Sequence, residues 1–161
     1  MKKIFTLKKL NKIISQQKKR GKKVVFANGC FDLIHVGHIR YLKGAKNKGD
    51  LLVVALNSDS SVNKLKGSGR PILNQEQRAE IIASFDFVDY ICLFNEKDVS
   101  KTLLALKPNI QAKGSDYTED TVPEKNVVRS YGGNVAIVGG PKIRSTSEII
   151  LELSKKQNAL K

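Results

Sequence analysis

Histidine is scarce in this chain of 161 residues: there are two, against 29 lysines and arginines. Cysteine is as scarce. Cys30 and Cys92 make neither a CxxC pair nor a disulfide framework, so they read as free thiols of a reducing cytoplasm. Two histidines and two distant cysteines leave a zinc site short of ligands. Tryptophan is absent and aromatic residues reach only 6%. With no recognisable RNA- or DNA-binding motif either, this weighs against a nucleic-acid module. No run approaches the ~20 apolar residues that span a bilayer. The basic N-terminus, "MKKIFTLKKLNKIISQQKKRGKK", lacks the unbroken apolar core and small-residue cleavage site of a signal peptide. Neither GxGxxG after the first strand nor GxxxxGK[ST] is present, which excludes an ordinary dinucleotide or P-loop signature.

Acidic residues are also few. Fifteen of them leave a formal net charge of +14, which implies polyanionic company such as nucleotide phosphates, nucleic acid or an acidic membrane surface. The competing reading is plain surface decoration, because the lysines are scattered and form no tail.

What is present is a core. The chain is long enough to bury roughly 70% of its unfolded surface, and 40% of it is apolar. The pattern predicts an amphipathic helix over 4–18, ending near Arg20 and Gly21. Strands follow at 23–28, 50–57, 88–94, 109–114 and 134–140. Helices are expected at 38–49, 74–85 (opened by an Asn74–Gln77 capping box), 96–107, 123–133 and 145–157, with a Gly-rich charged loop at 64–73. Alternation throughout, with no repeat or linker, gives a doubly wound Rossmann-like α/β fold: a parallel sheet with helices on both faces. Residues 1–161 are expected to form one domain, with about 1–21 a leading helix and 22–157 the α/β core.

In such a sheet, ligands sit beyond the carboxyl ends of the strands. Both histidines fall there, in "NGCFDLIHVGHIRYL" (28–42). His38 sits at or near a helix start, where unpaired backbone N–H groups accept phosphate. Gly37 lets a phosphate approach the backbone. His35 and His38, three apart, can face the same way, donate hydrogen bonds and gain charge beside an anion. Two structurally satisfied histidines is the alternative.

"GCFDLIHVGH" resembles the signature of the HxGH nucleotidylyltransferases. "KGSGRPILNQEQRAEIIASFDFVDYICLF" and "AKGSDYTED" resemble, more narrowly, the adenylyltransferase domain of bacterial ADP-heptose synthase. The similarity runs from about residue 7 to 152 and leaves out the sugar-kinase domain of many relatives, so a stand-alone transferase is expected. The resemblance implies that a heptose 1-phosphate attacks the α-phosphorus of ATP, with Mg²⁺ bridging the phosphates and pyrophosphate leaving. It implies that His35 and His38 contact the triphosphate, that Cys30 and Phe31 line the same turn, and that Asn57 ends the second strand at the ligand edge. Asp59 beside it is expected to cap a helix. It also implies a homodimer, with no membrane and no specific nucleic acid among the partners.

Three further clusters carry both readings. "IRSTSEII" pairs Ser145 with Glu148 as a capping box. In the family the matching segment, here Arg144, Ser145, Thr146 and Ser147, holds the β and γ phosphates. Relatives usually carry a glycine two places before the first serine and a Ser-Thr-Thr run, where this chain has Ile143 and Ser-Thr-Ser. Lys66 and Arg70 lie on a basic loop that either closes over phosphates or is simply solvated. Asp32, Lys113, Asp116 and Tyr117 are assigned to the acceptor, Lys113 to its phosphate and Asp116 to its hydroxyls. Arg78 reads as an i,i+4 surface partner of nearby acids, or, by its match to the family, as a structural or site residue. A CTP-dependent transferase acting on glycerol 3-phosphate, and a basic nucleic-acid-binding module, remain the alternatives.

Overall fold

The computed structural model describes residues 3–96, 98–141 and 145–159. In chain order the elements are α1 (Leu7–Lys19), β1 (Val24–Gly29), α2 (Val36–Lys46), β2 (Leu51–Asn57), α3 (Asp59–Lys66), α4 (Gln75–Ala83), β3 (Tyr90–Phe94), α5 (Ser100–Leu106), β4 (Ile110–Gly114), α6 (Lys125–Ser130), β5 (Asn134–Val138) and α7 (Thr146–Ala159). The strands form one sheet in the order β3-β2-β1-β4-β5, every neighbour parallel.

The sequence dictates this arrangement through burial on both faces. Side chains alternate across a strand, and β1 and β2 are apolar at nearly every position. Val25, Ala27, Leu52, Val54 and Leu56 therefore point one way, under Leu42 and Ala45 of α2 and Ala79 and Ile82 of α4. Val24, Phe26, Val53 and Ala55 point the other way, under Leu10 and Ile14 of α1, Leu103 and Leu106 of α5, and Val128 of α6. Two apolar layers enclose the sheet, and helices cover both faces.

Several boundaries differ from expectation, each for a local reason. The first helix starts at Leu7, because Thr6 caps it by accepting from the Lys9 amide at 3.4 Å. Ile4, expected inside that helix, instead bridges Ile91 beside β3. α3 was not expected; its sequence, DSSVNKLK, is short and polar, and Val62 is the one apolar side chain it buries. Asp59 is not its cap: Ser58 is, through the Ser61 amide at 3.3 Å. α5 begins at Ser100 instead of 96, and α6 is confined to Lys125–Ser130 with no side-chain cap. β5 stops at Val138. The next residue, Gly139, turns at φ +95 so closely under α2 that a Cβ there would lie 3.0 Å from the Tyr41 Cα. Only glycine fits this corner.

Candidate active site

The chain runs from β1 outward to β2 and β3, then returns to the other side of β1 for β4 and β5. The order reverses between β1 and β4, and a crevice opens at their carboxyl ends. It holds a cleft of about 390 Å³ lined by the turn after β1, the start of α2, the ends of α3 and β4, the turn after β5 and the start of α7. That volume suits a small-molecule ligand.

The imidazoles are built into the helix start. His35 is the N-cap of α2, extended at φ −138 and ψ 171, and its Nδ1 accepts the Gly37 amide at 3.1 Å. His38, in the third helical position, returns the favour: its Nδ1 accepts the His35 amide at 3.4 Å. This is a capping box made of histidines, where Ser or Thr with Glu is usual. The rings lie 3.9 Å apart between centroids. Because each Nδ1 is an acceptor, a neutral ring carries its proton on Nε2, and among the described residues no hydrogen-bond acceptor engages that N–H. Neutrality is favoured. Burial and then its neighbour His35 hold His38 down at about 4. Burial lowers His35 as well, opposed by the Glu148 carboxylate. The structural and the ligand-binding readings are therefore compatible, since one nitrogen of each ring serves the helix and the other remains.

The preceding turn is strained and braced. Phe31 has φ 48, uncommon for a bulky residue. Its ring is buried against Gly29, where a Cβ would lie 3.1 Å away, and it meets His38 edge-on at 5.2 Å. Arg78 supports the turn from beneath. It is fully buried and donates to the Cys30 carbonyl, to Leu73 O at 3.0 Å and to Asp59 Oδ1 at 2.7 Å. Arg78 is thus no surface partner in an i,i+4 pair; it joins the turn, α3 and α4. The Cys30 thiol, pushed up by burial against the pull of Lys66, Arg78 and Arg70, faces Asn57 Oδ1 at 3.8 Å. Asn57 itself donates to Ser61 Oγ at 2.9 Å.

Asp32 is 2% exposed and its carboxylate anchors the basic loop. It accepts from Arg70 Nε at 2.6 Å and from the amides of Ile72 and Leu73 at 2.7 and 3.1 Å. Lys66, the last residue of α3, lines the cleft, and among the described residues no carboxylate lies within ion-pair distance of it. Across the cleft, Lys113 ends β4. It pairs with Glu124 Oε2 at 3.1 Å and stands 5.2 Å from the Tyr117 ring centre. At the start of α7 the expected capping box forms: Ser145 N donates to Glu148 Oε2 at 2.7 Å and Glu148 N to Ser145 Oγ at 3.2 Å. Thr146 Oγ1 donates to Leu33 O at 3.2 Å, tying α7 to the histidine loop.

The cleft brings together His35, His38, Lys66 and Arg70; Cys30, Phe31, Gly37 and Asn57; Ser145, Thr146 and Ser147; and Asp32, Lys113, Asp116 and Tyr117. Arg144 falls outside the described residues. Ser115 and the Gly139–Pro141 turn, also on the wall, fall in the segments 110–117 and 136–144 where the sequence places the pocket that sets base choice. Reading the sequence missed Asn28 and Tyr41 on the wall, and Glu124 behind it. Tyr41 had a signal, since it lies one helical turn after His38. Its phenol donates to Ala112 O at 2.9 Å and pins α2 to β4. Glu124 had none: only the fold brings it to Lys113. Among the described residues no group of three His, Cys, Asp or Glu side chains could hold a metal ion, and no helix is long and apolar enough to cross a membrane.

Comparison with known proteins agrees with this geometry. The cytidylyltransferase-like family model matches residues 26–156. The bifunctional protein HldE of Geobacter metallireducens is 50% identical over 148 residues, 92% of this chain and 30% of that protein. HldE of Geobacter sulfurreducens is 48% identical over 153 residues, 95% of this chain and 31% of its own. The chain thus spans less than a third of the curated relatives it matches. Among solved structures, the lipopolysaccharide core biosynthesis protein of Thermoplasma volcanium superposes with a TM-score of 0.65 at 35% identity, covering 77% of this chain and all of that one. The pantoate-beta-alanine ligase of Francisella tularensis, at 22% identity and a TM-score of 0.63 over 91% of this chain and 69% of its own, shares the fold. With a family match over most of its length and a solved relative covered end to end, the chain belongs to the cytidylyltransferase-like family of nucleotidyltransferases.

Proposed function

We propose that the protein is a sugar-phosphate adenylyltransferase that joins ATP and a heptose 1-phosphate into an ADP-heptose, releasing pyrophosphate. The observation that carries this reading is the imidazole couplet, with both Nδ1 atoms fixed by backbone amides at the start of α2. Two Nε2–H donors and a helix N-terminus at the switch point are suited to a triphosphate and to the charge that develops on it. The relatives named HldE and the lipopolysaccharide core biosynthesis protein support the choice of acceptor class.

In the reaction, a phosphate oxygen of the sugar 1-phosphate attacks the α-phosphorus in line. The bond from the α-phosphorus to the oxygen bridging it to the β-phosphorus breaks, and pyrophosphate departs with that oxygen. His35, His38 and Lys66 donate to the phosphate oxygens. The start of α7, with Ser145, Thr146 and Ser147, cradles the β and γ phosphates, and Arg70, its Nε paired with Asp32, offers its remaining N–H donors. Positioning and electrostatics do most of the work in such transfers. The cleft's donors are histidine, lysine and arginine, a set for anions. Mg²⁺ is therefore expected to enter on the triphosphate, where it neutralises charge. A reducing cytoplasm suits the thiols of Cys30 and Cys92, and a homodimer is the expected assembly, checked by light scattering.

The test is pyrophosphate release from the protein incubated with heptose 1-phosphate and either ATP or CTP. We expect release with ATP. Release with CTP alone would overturn the adenylyl assignment.

A further inference from the structure

The two walls of the cleft differ in charge. On the α2 and α3 side stand two imidazoles, the α2 N-terminus and Lys66, with Arg70 balanced by Asp32. On the β4 side, among the described residues lining the cleft, the cation is Lys113, and it is already matched by Glu124. The pair is sealed in: both side chains are 8% exposed. Glu124 is fixed from below by the buried Gln111, whose Nε2 donates to its Oε2 at 3.3 Å. The Lys113 ammonium also lies 5.2 Å from the centre of the Tyr117 ring, which is 37% exposed at the rim.

A phosphate drawn to this wall would meet a cation whose charge is already satisfied. An ammonium keeps donors beyond the one directed at Glu124, and with an aromatic face and a carboxylate beside it these make a surface for hydroxyl groups on a neutral ring. We propose that Glu124 is a positioning residue that acts through Lys113 and makes the β4 wall a reader of polyhydroxylated rings instead of a phosphate site. The inference rests on the transferase reading above, because both of its substrates carry such a ring: the ribose of the nucleotide and the sugar of the acceptor.

The test compares the wild type with Glu124→Gln and with the double variant Lys113→Met, Glu124→Leu, measuring KM for ATP and for heptose 1-phosphate separately. A buried ion pair replaced by apolar side chains of similar volume usually keeps or gains stability. The double variant therefore folds even where the single one, with an unmatched lysine, does not. We expect both variants to raise KM about tenfold for one substrate, with kcat changing far less, as a site built to hydrogen-bond hydroxyls does when its groups are lost. Which KM moves tells ribose from acceptor sugar. Competitive inhibition by inorganic tripolyphosphate should be unchanged in the double variant, which has neither charge, and stronger in Glu124→Gln, where Lys113 is unmatched. A double variant with wild-type melting temperature and wild-type KM for both substrates would show that Glu124 only neutralises a buried charge, and would overturn the proposal. So would altered tripolyphosphate inhibition of the double variant. If the wild-type protein releases no pyrophosphate from ATP and heptose 1-phosphate, the transferase reading falls and this inference with it.

Discussion

Each histidine of the couplet has two nitrogens for two jobs, one observed and one proposed. Nδ1 completes the helix cap, and Nε2 is proposed to donate to a ligand. His38→Glu separates these jobs, because a carboxylate oxygen can still accept the His35 amide, as in the usual capping box, while no donor remains. We expect kcat to fall about 10²- to 10³-fold, the usual cost of one donor to transition-state charge, with circular dichroism unchanged; a fully active variant would contradict the role. The same ring sets an acid limit. An unfolded histidine takes up its proton near 6.5, while the folded His38 waits until about 4. Between those values the unfolded chain binds more protons, so stability rises with pH across this window and is lost as pH falls through it. Lowered in the same direction, His35 adds to the effect. The melting temperature should therefore drop from pH 6.5 to 4, and more gently in His38→Gln. This part of the site was legible because its two residues sit three apart and the signal is local. Glu124 was not, and Arg78 was only through its match to the family, because what defines them is burial beside partners distant in the chain, Lys113 and Cys30.

Among the elements, the strands read clearly because continuous apolar runs have few other fates than a sheet covered on both faces. The capping boxes at Asn74–Gln77 and Ser145–Glu148 read clearly too, since the pairing residues lie within one turn. α3 escaped because its polar surface outweighs one buried valine, and the first helix lost its leading residues to a bridge with β3 that no local pattern encodes. Arg78 holds three of these pieces together. Arg78→Met removes the donor to Cys30 O, Leu73 O and Asp59 at once. Asp59 is part-exposed and regains water, and we expect the two carbonyls left without a donor to cost about 2–6 kcal/mol, read by urea denaturation. A loss below the error of that method would show that the turn at Phe31 stands without it. α7 is lightly anchored beside the cleft: among the described residues Thr146 ties it to Leu33, while Leu151 and Leu153 lie more than half exposed. Its amides should exchange faster than those of β1 and β2, and slow when nucleotide reaches its N-terminus. Ser145→Ala should cost about 1 kcal/mol of cap and abolish much of that slowing.

At the scale of the whole molecule, the +14 charge and the divided cleft work together. A basic surface raises the local concentration of a polyanion at long range, and the paired wall at β4 limits where its phosphates settle. The long-range part should fade with salt, so KM for ATP should rise as ionic strength shortens the screening length from about 10 Å at 0.1 M towards 3 Å at 1 M. A KM indifferent to salt would assign that charge to mere solubility. The fold class followed from alternation alone, but the strand order, and with it the meeting of β1 and β4 beside the couplet, depended on long-range pairing that composition does not encode. One measurement bears on all of this most directly: a crystal structure of the protein with a non-hydrolysable ATP analogue and magnesium. We expect the phosphates within hydrogen-bond reach of Nε2 of both His35 and His38, with the β and γ groups at the start of α7. An analogue bound away from the crevice, with both rings turned from it, would contradict the proposed chemistry.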